Sequence, residues 1–360
     1  MSLSSPSHIV SFKGTAVFVT GGTGFVGSHL VEYLLEAGCT DVRCLIRKDK
    51  KWLEGLPVTC IEGTLDNEQA LELGMRGVDY VFHVAALTRS VRWEDFYDAN
   101  VKGTENLLLA AEKESRTGVQ QQHQQTAESE ANLQPVSSLK RIVLVSSLAA
   151  IGVSNQEVVD EQTALAPVSM YGRSKAEMEQ MAARFDLPIT IVRPPAVYGP
   201  RETDIFTFFK TISKGLCPVV GSASKRALSL VHVRDLVVGI AQSALSPAAN
   251  NATFFLGSPV QFAWSQIRDA ATSALNRRVI TIPIPPSVIP LVGWISEGIG
   301  KIMGFYPPLN KEKAFEIVHA SLMCSSTRAS QTFGYQPSIL LEDGIAETIL
   351  WYQDQKWLKK

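Results

Sequence analysis

The chain has 360 residues, 45% hydrophobic and 19% charged, with a formal net charge of −1, the balance of a globular protein long enough for a full domain and a second lobe. A near-neutral charge leaves no electrostatic footprint for nucleic acid. Five cysteines (Cys39, Cys44, Cys60, Cys217, Cys324) in odd number and without metal-ligand spacing argue against a disulfide framework or a metal site.

Residues 1–14 read as an N-terminal tail. They lack the basic segment and apolar core of a signal peptide, so a cytoplasmic location is expected. The run Thr15 to Thr20 is apolar and β-branched, as a buried parallel strand requires. Gly21-Gly22-Thr23-Gly24-Phe25-Val26-Gly27 follows it and opens a helix with an apolar face of Val26, Leu30, Leu34 and Ala37, stopped by Gly38. Strand, tight glycine turn and helix in that order suit a dinucleotide, because glycines let backbone approach the pyrophosphate and free N–H groups at a helix start bind the anion. The spacing Gly21, Gly24, Gly27 departs from G-x-G-x-x-G.

The second strand, 41–46, ends about 20 residues beyond the last glycine, where an NAD site places an acid on the ribose hydroxyls. Ile46 and Arg47 stand there instead, with Lys48, Lys50 and Lys51 beyond. The lost carboxylate and the forked guanidinium predict NADP(H) over NAD(H). Further strands are expected at 58–62, 79–84, 141–146 and 189–193, with helices between them.

Glu114 to Ser138, rich in glutamine and without an aromatic residue, interrupts the plan and reads as a disordered surface insertion. A helix is expected from Tyr171 to Phe185. Its Tyr171 and Lys175 are four residues apart and therefore share a face. An ammonium beside a phenol stabilises the phenolate, so Lys175 is expected to lower Tyr171 toward the working pH and make it a general acid/base. Past residue 200 the pattern becomes irregular, with short strands near 228–232, 252–256 and 279–283. From Val288 to Met303 an apolar helix pattern follows Pro283-Ile284-Pro285-Pro286. Packing against the second lobe is the favoured reading of that helix; a wall of an apolar substrate pocket and contact with a membrane surface are the lesser ones.

Six ordered motifs resemble the extended short-chain dehydrogenase/reductase family over nearly the whole chain. They are Thr20 to Gly27, Val81 to Ala86, Asn100 to Thr104, Val143 to Ser147, the Tyr171/Lys175 pair, and Arg193 to Pro200. The resemblance implies that Ser147 fixes the substrate oxygen, Tyr171 exchanges its proton, Lys175 binds nicotinamide ribose and Asn100 supports a proton relay. It also implies a cofactor wall of Ala85, Ala86, Pro194 and Val197. Thr64 and Leu65 occupy a segment where the family usually has an acid for the adenine amino group. Ser146 reads as a strand-end hydrogen-bonder, and His29, His83 and His232 as packed residues.

The turn His232-Val233-Arg234-Asp235 resembles one in nucleotide-sugar enzymes, but Leu228 stands where those supply a diphosphate-binding arginine, and Ile151-Gly152 replaces a Tyr-Gly pair. The pattern is closer to the 3β-hydroxysteroid dehydrogenase and dihydroflavonol reductase branch, implying a hydrophobic small-molecule substrate and a more apolar pocket. Relatives pair through helices equivalent to Asp95–Glu112 and Tyr171–Phe185, which implies a homodimer.

The expected architecture is α/β, a Rossmann-like doubly wound parallel sheet over 15–200 with a smaller α/β substrate lobe over 201–360, the segments free to interleave. The expected activity is NADPH-dependent hydride transfer to or from a carbonyl or secondary alcohol. The alternatives are an epimerase or dehydratase that recycles hydride internally, and a non-enzymatic NADPH sensor. The sensor is disfavoured by the presence of Ser147, Tyr171 and Lys175.

Overall fold

The computed structural model describes residues 10–128, 139–220, 227–303, 311–320 and 322–359. The six apolar runs form strands. These are β1 (Ala16–Thr20) with helix α1 (Phe25–Glu36), β2 (Asp41–Ile46), β3 (Thr59–Glu62) with helix α2 (Glu68–Met75), and β4 (Tyr80–His83). After helices α3 (Trp93–Phe96) and α4 (Gly103–Glu128) come β5 (Arg141–Val145), helix α5 (Met170–Ala182) and β6 (Ile189–Arg193).

The rest of the chain adds β7 (Ala196–Tyr198), α6 (Phe206–Ser213), β8 (Leu216–Val220), β9 (Ala227–His232), α7 (Val233–Leu245) and β10 (Ala252–Phe255). It ends with β11 (Gln261–Ala263), α8 (Trp264–Leu275), β12 (Ile280–Ile284), α9 (Ile289–Met303), α10 (Lys311–His319), α11 (Thr327–Phe333) and α12 (Leu341–Asp354).

The main sheet has the order β10-β6-β5-β4-β1-β2-β3, and every pairing in it is parallel. Strand order reverses between β1 and β4, which opens a crevice at the carboxyl ends of the strands. The central strands are covered on both faces, and β4 and β5 are buried throughout. Helix α1 ends as read: Gly38 takes φ +85 and donates to Leu35 O, while the N–H of Cys39 reaches Leu34 O. The smaller lobe is built on β9, which pairs in parallel with β7 and antiparallel with β11. Its core gathers Phe209, Ile212, Leu230, Ile345 and Tyr352.

The structure alters the sequence reading at several points. Strand β10 pairs with β6 as the seventh strand, and α7 packs on α1, so residues 233–255 return to the first domain and the lobes interleave. An unpaired β6 edge is thereby covered by a strand whose Phe254 and Phe255 are fully buried. The helix expected over Asp95–Glu112 is interrupted by a π-helical turn, Tyr97–Lys102. Helix α4 continues to Glu128, into the stretch expected to be disordered, because glutamine, glutamate and alanine extend a helix once it is nucleated. The remainder of that stretch, 129–138, lies outside the described residues. Strands β7 and β11 have three residues each, too few for alternation to show in sequence.

Candidate active site

The cofactor end of the crevice is made of backbone. Gly21 turns at φ +75, and Gly27, in the first turn of α1, packs so close that a Cβ there would lie 2.1 Å from Gly21 O. A Cβ on Gly21 would lie 2.5 Å from Ala85 N, so the ends of β1 and β4 approach at van der Waals limits. Gly24 caps α1 without a side-chain hydrogen bond, which leaves the first-turn amides of Phe25 and Val26 for an anion. This bare-backbone cradle fits the pyrophosphate of a nicotinamide dinucleotide. Arg47, Thr64 and Leu65 follow β2 and β3, and Ala85 and Ala86 follow β4, along the same cleft of about 880 Å³. Beneath it His83 is fully buried, its Nδ1 2.7 Å from Thr20 Oγ1 and its Nε2 2.8 Å from Thr104 Oγ1. It ties β1, β4 and α4 together.

Ser147, Tyr171, Lys175, Pro194 and Val197 line the other half of the cleft. Ser147 follows β5 and caps a short 3₁₀ turn, its Oγ accepting from Ala149 N at 3.1 Å. Helix α5 is capped by Ser169, whose Oγ accepts from Gly172 N at 3.1 Å. Gly172 is what brings the helix to that turn, since a Cβ there would sit 2.3 Å from Ala149 O. Tyr171 is thereby held in a hydrogen bond with Ser147.

The expected lowering of Tyr171 by Lys175 is not found. Burial pushes the phenol up to about 12, the Ser147 hydrogen bond pulls it down, and the Glu316 carboxylate raises it. The reason is geometric: Lys175 Nζ donates to Val145 O at 2.7 Å and lies 3.8 Å from Met178 Sδ. Burial brings Lys175 itself down to about 8, opposed by Glu179. Glu179 forms a buried ion pair with Arg193 and accepts from Ser146 Oγ, so Ser146 is the strand-end hydrogen-bonder and Ser147 faces the cleft.

Asn100 stands apart from the set. In the π-helical turn its carboxamide accepts from Leu87 N (2.7 Å) and donates to Leu87 O (2.9 Å) and Ser174 Oγ (2.8 Å). Those bonds clamp the loop after β4 onto α5.

The substrate end departs from the apolar pocket expected. Leu228 packs in the core of the smaller lobe, and Ile151 in a separate small core. The cleft there carries Arg89, Asp95, Asp98, Glu202 and Asp204 beside Leu87 and Pro195. Arg89 and Asp204 form an ion pair across it. Glu202 accepts from the N–H groups of Asp204 and Ile205; burial nevertheless raises it to about 7. Two further carboxylates were not visible in the sequence. Glu312 of α10 accepts from Met170 N at 3.1 Å, and Glu316 from Ser169 Oγ at 3.3 Å, so α10 sits on the N-terminus of α5. They lie 142 and 147 residues from their partners, and no local pattern links such positions.

The profile of the NAD dependent epimerase/dehydratase family matches residues 17–257. The ceramide reductase of Caulobacter vibrioides is 26% identical over 347 residues, covering 96% of each chain. A putative dihydroflavonol 4-reductase of Synechocystis is 28% identical over 359 residues, covering 95% of this chain and 96% of that one. Among solved structures, gox2253 superposes with a TM-score of 0.76 at 25% identity, covering 96% of this chain and all of that one. MoeE5 in complex with UDP-glucuronic acid and NAD gives 0.69 at 20% identity, covering 94% and 99%.

Proposed function

Because the chain belongs to the NAD dependent epimerase/dehydratase family, an enzyme family acting on alcohol and carbonyl groups through a nicotinamide cofactor, we propose that it is an NADPH-dependent reductase of a ketone or aldehyde on a substrate with an apolar body. The observation that carries this reading is that Ser147, Tyr171 and Lys175 line one cleft with the glycine turn, where burial raises the Tyr171 phenol above its ordinary value. A neutral phenol is the state that donates a proton to a developing alkoxide, which favours the reductive direction.

A bound nicotinamide supplies the hydride. Ser147 donates a hydrogen bond to the carbonyl oxygen and fixes it beside Tyr171, which protonates that oxygen as charge develops. Lys175, whose Nζ is anchored on Val145 O, would hold the nicotinamide ribose and add positive charge to the site. Asn100 keeps the loop after β4 in place on the helix that carries Tyr171 and Lys175. Arg47, which follows β2 and lines the same cleft, would take the 2′-phosphate. The apolar body is supported by relatives named as reductases of ceramide and dihydroflavonol.

A second reading, a nucleotide-sugar epimerase, draws support from the charged substrate end and from relatives such as the UDP-glucose 4-epimerase of Vibrio cholerae, 26% identical. The test is NADPH consumption against a panel of hydrophobic ketones, aldehydes and nucleotide-sugars, with NADH alongside and Tyr171→Phe as control. Tyrosine-dependent NADPH oxidation by an apolar carbonyl compound supports the reductase. Conversion of a nucleotide-sugar without net cofactor oxidation replaces it with the epimerase.

A further inference from the structure

The segment 277–296 contains no acid and only two charges, Arg277 and Arg278, and the structure leaves most of its apolar side chains in water. In β12, Ile280 is 69% exposed and Ile282 is 42% exposed. The parallel register with β8 sets Leu216 opposite Ile280 and Pro218 opposite Ile282, both also exposed. The alternate residues of β8, Cys217 and Val219, are buried in the lobe. One face of this two-stranded sheet is therefore core and the other is an open apolar surface.

Beyond β12 the chain goes on exposing apolar residues, Pro285 and Val288, into α9. There Ile289 and Gly293, one turn apart, point inward, while Leu291 and Trp294 are 57% and 60% exposed and Val292 and Ile295 are exposed as well. A surface helix ordinarily turns charged residues outward, and large exposed apolar areas mark interaction sites.

Cations border it. Ile280 N donates to Gly215 O at 2.9 Å, which places Lys214 beside the strand that Arg277 and Arg278 precede. All three are exposed, and among the described residues none has an ion-pair partner. The nearest acid along α9, Glu297, is turned to Lys311 N of α10.

We propose that this face rests on a lipid bilayer carrying anionic headgroups. The apolar side chains of β12, β8 and α9 enter the headgroup boundary, Trp294 sits at the interface, and Lys214, Arg277 and Arg278 meet the phosphates. The chain lies on the membrane rather than crossing it. Helix α9 has 15 residues, about 22 Å of rise, short of a hydrocarbon core of about 30 Å, and among the described residues no helix is long and apolar enough to span. A docked protein partner would leave three unpaired cations at the edge to be matched, whereas an anionic bilayer matches them everywhere.

The full chain is sedimented with phosphatidylcholine vesicles with and without phosphatidylglycerol, and its tryptophan emission is recorded. The expected result is co-sedimentation with the anionic vesicles, weakened by salt, with a blue shift that disappears in Trp294→Phe. Arg277→Gln with Arg278→Gln weakens binding by roughly fivefold per charge removed, at an unchanged unfolding midpoint. Leu291→Ser, a milder surface change, lowers binding to both vesicle types. Absence of sedimentation with anionic vesicles overturns the proposal. So does a dimer in solution that Leu291→Ser dissociates and that excludes vesicle binding, since the face would then be covered by a second copy.

Discussion

At the cofactor end of the cleft the walls are backbone, packed until a single Cβ cannot be added; at the substrate end they are side chains on loops, joined by ion pairs that water reaches. Gly27 would place a Cβ 2.1 Å from a carbonyl oxygen, whereas Arg89 and Asp204, which pair across the other end, have side chains 47% and 59% exposed. The first arrangement tolerates almost no substitution and holds one ligand shape. The second can be rebuilt at little cost in stability, because exposed ion pairs contribute about 0–1 kcal/mol. A fold can therefore keep one cofactor while changing what it acts on.

The contrast is sharpest at the junction of the two ends. Tyr171→Phe is expected to lower turnover by roughly 10²–10⁴-fold with nucleotide affinity kept, measured by steady-state kinetics beside cofactor titration. Equal turnover in the variant removes Tyr171 from the chemistry. Gly27→Ala is expected to do the converse, costing about 1–3 kcal/mol in strain and abolishing detectable cofactor binding by fluorescence titration. Retained affinity would show that the turn can open.

Arg47→Ala is expected to weaken NADPH by roughly 10–100-fold, the worth of about 1.5–3 kcal/mol in hydrogen bonds to a charged group, and to leave NADH nearly unchanged. An equal effect on both cofactors argues that Arg47 does not meet the 2′-phosphate.

Stability separates the packed interior from the cleft by its pH dependence. Burial lowers His29 to about 4, and His83 and His232 to about 3, from an ordinary value of 6.5. The unfolded chain therefore takes up protons first, and stability is lost as pH falls below 6.5 toward those values, by at most about 1.4 kcal/mol per pH unit for each histidine. Glu202 works the other way, since its folded value is raised to about 7 from 4.5 and its contribution is lost as pH rises through that range. Urea midpoints at pH 7 and pH 5 should differ less in His232→Asn than in the wild type; an identical difference would clear His232 of any part in it.

The smallest effect is expected from Glu316→Gln. Removing a negative charge that raises Tyr171 should move the basic limb of the kcat/KM profile to lower pH. An unmoved limb with only a raised KM would make α10 a cover and nothing more.

How much of this was legible in sequence depends on how local each feature is. The run Thr15 to Gly27 carries strand, turn and helix within thirteen residues, and the structure builds it with those boundaries nearly unchanged. Ser147, Tyr171 and Lys175 could be placed at strand and helix ends and do meet in one cleft. The direction of the Tyr171 shift could not, because it depends on where Lys175 Nζ points and on a carboxylate 145 residues downstream. Leu228 was read as a pocket residue and is core, because a β-strand alternates faces and the register of β9 against β11 chooses the face.

Periodicity, glycine spacing and turn chemistry act over a few residues, and through them the sequence alone determined the parallel sheet, the nucleotide turn and the helix bearing Tyr171 and Lys175. Only tertiary structure decided that β10 returns to the first sheet, that Asn100 is spent on Leu87 and Ser174, and that α10 covers the N-terminus of α5 with two carboxylates. It also decided that the apolar face of α9 is left open. Each of these joins residues far apart in the chain, where the outcome depends on which surfaces remain to be covered after the local elements have formed.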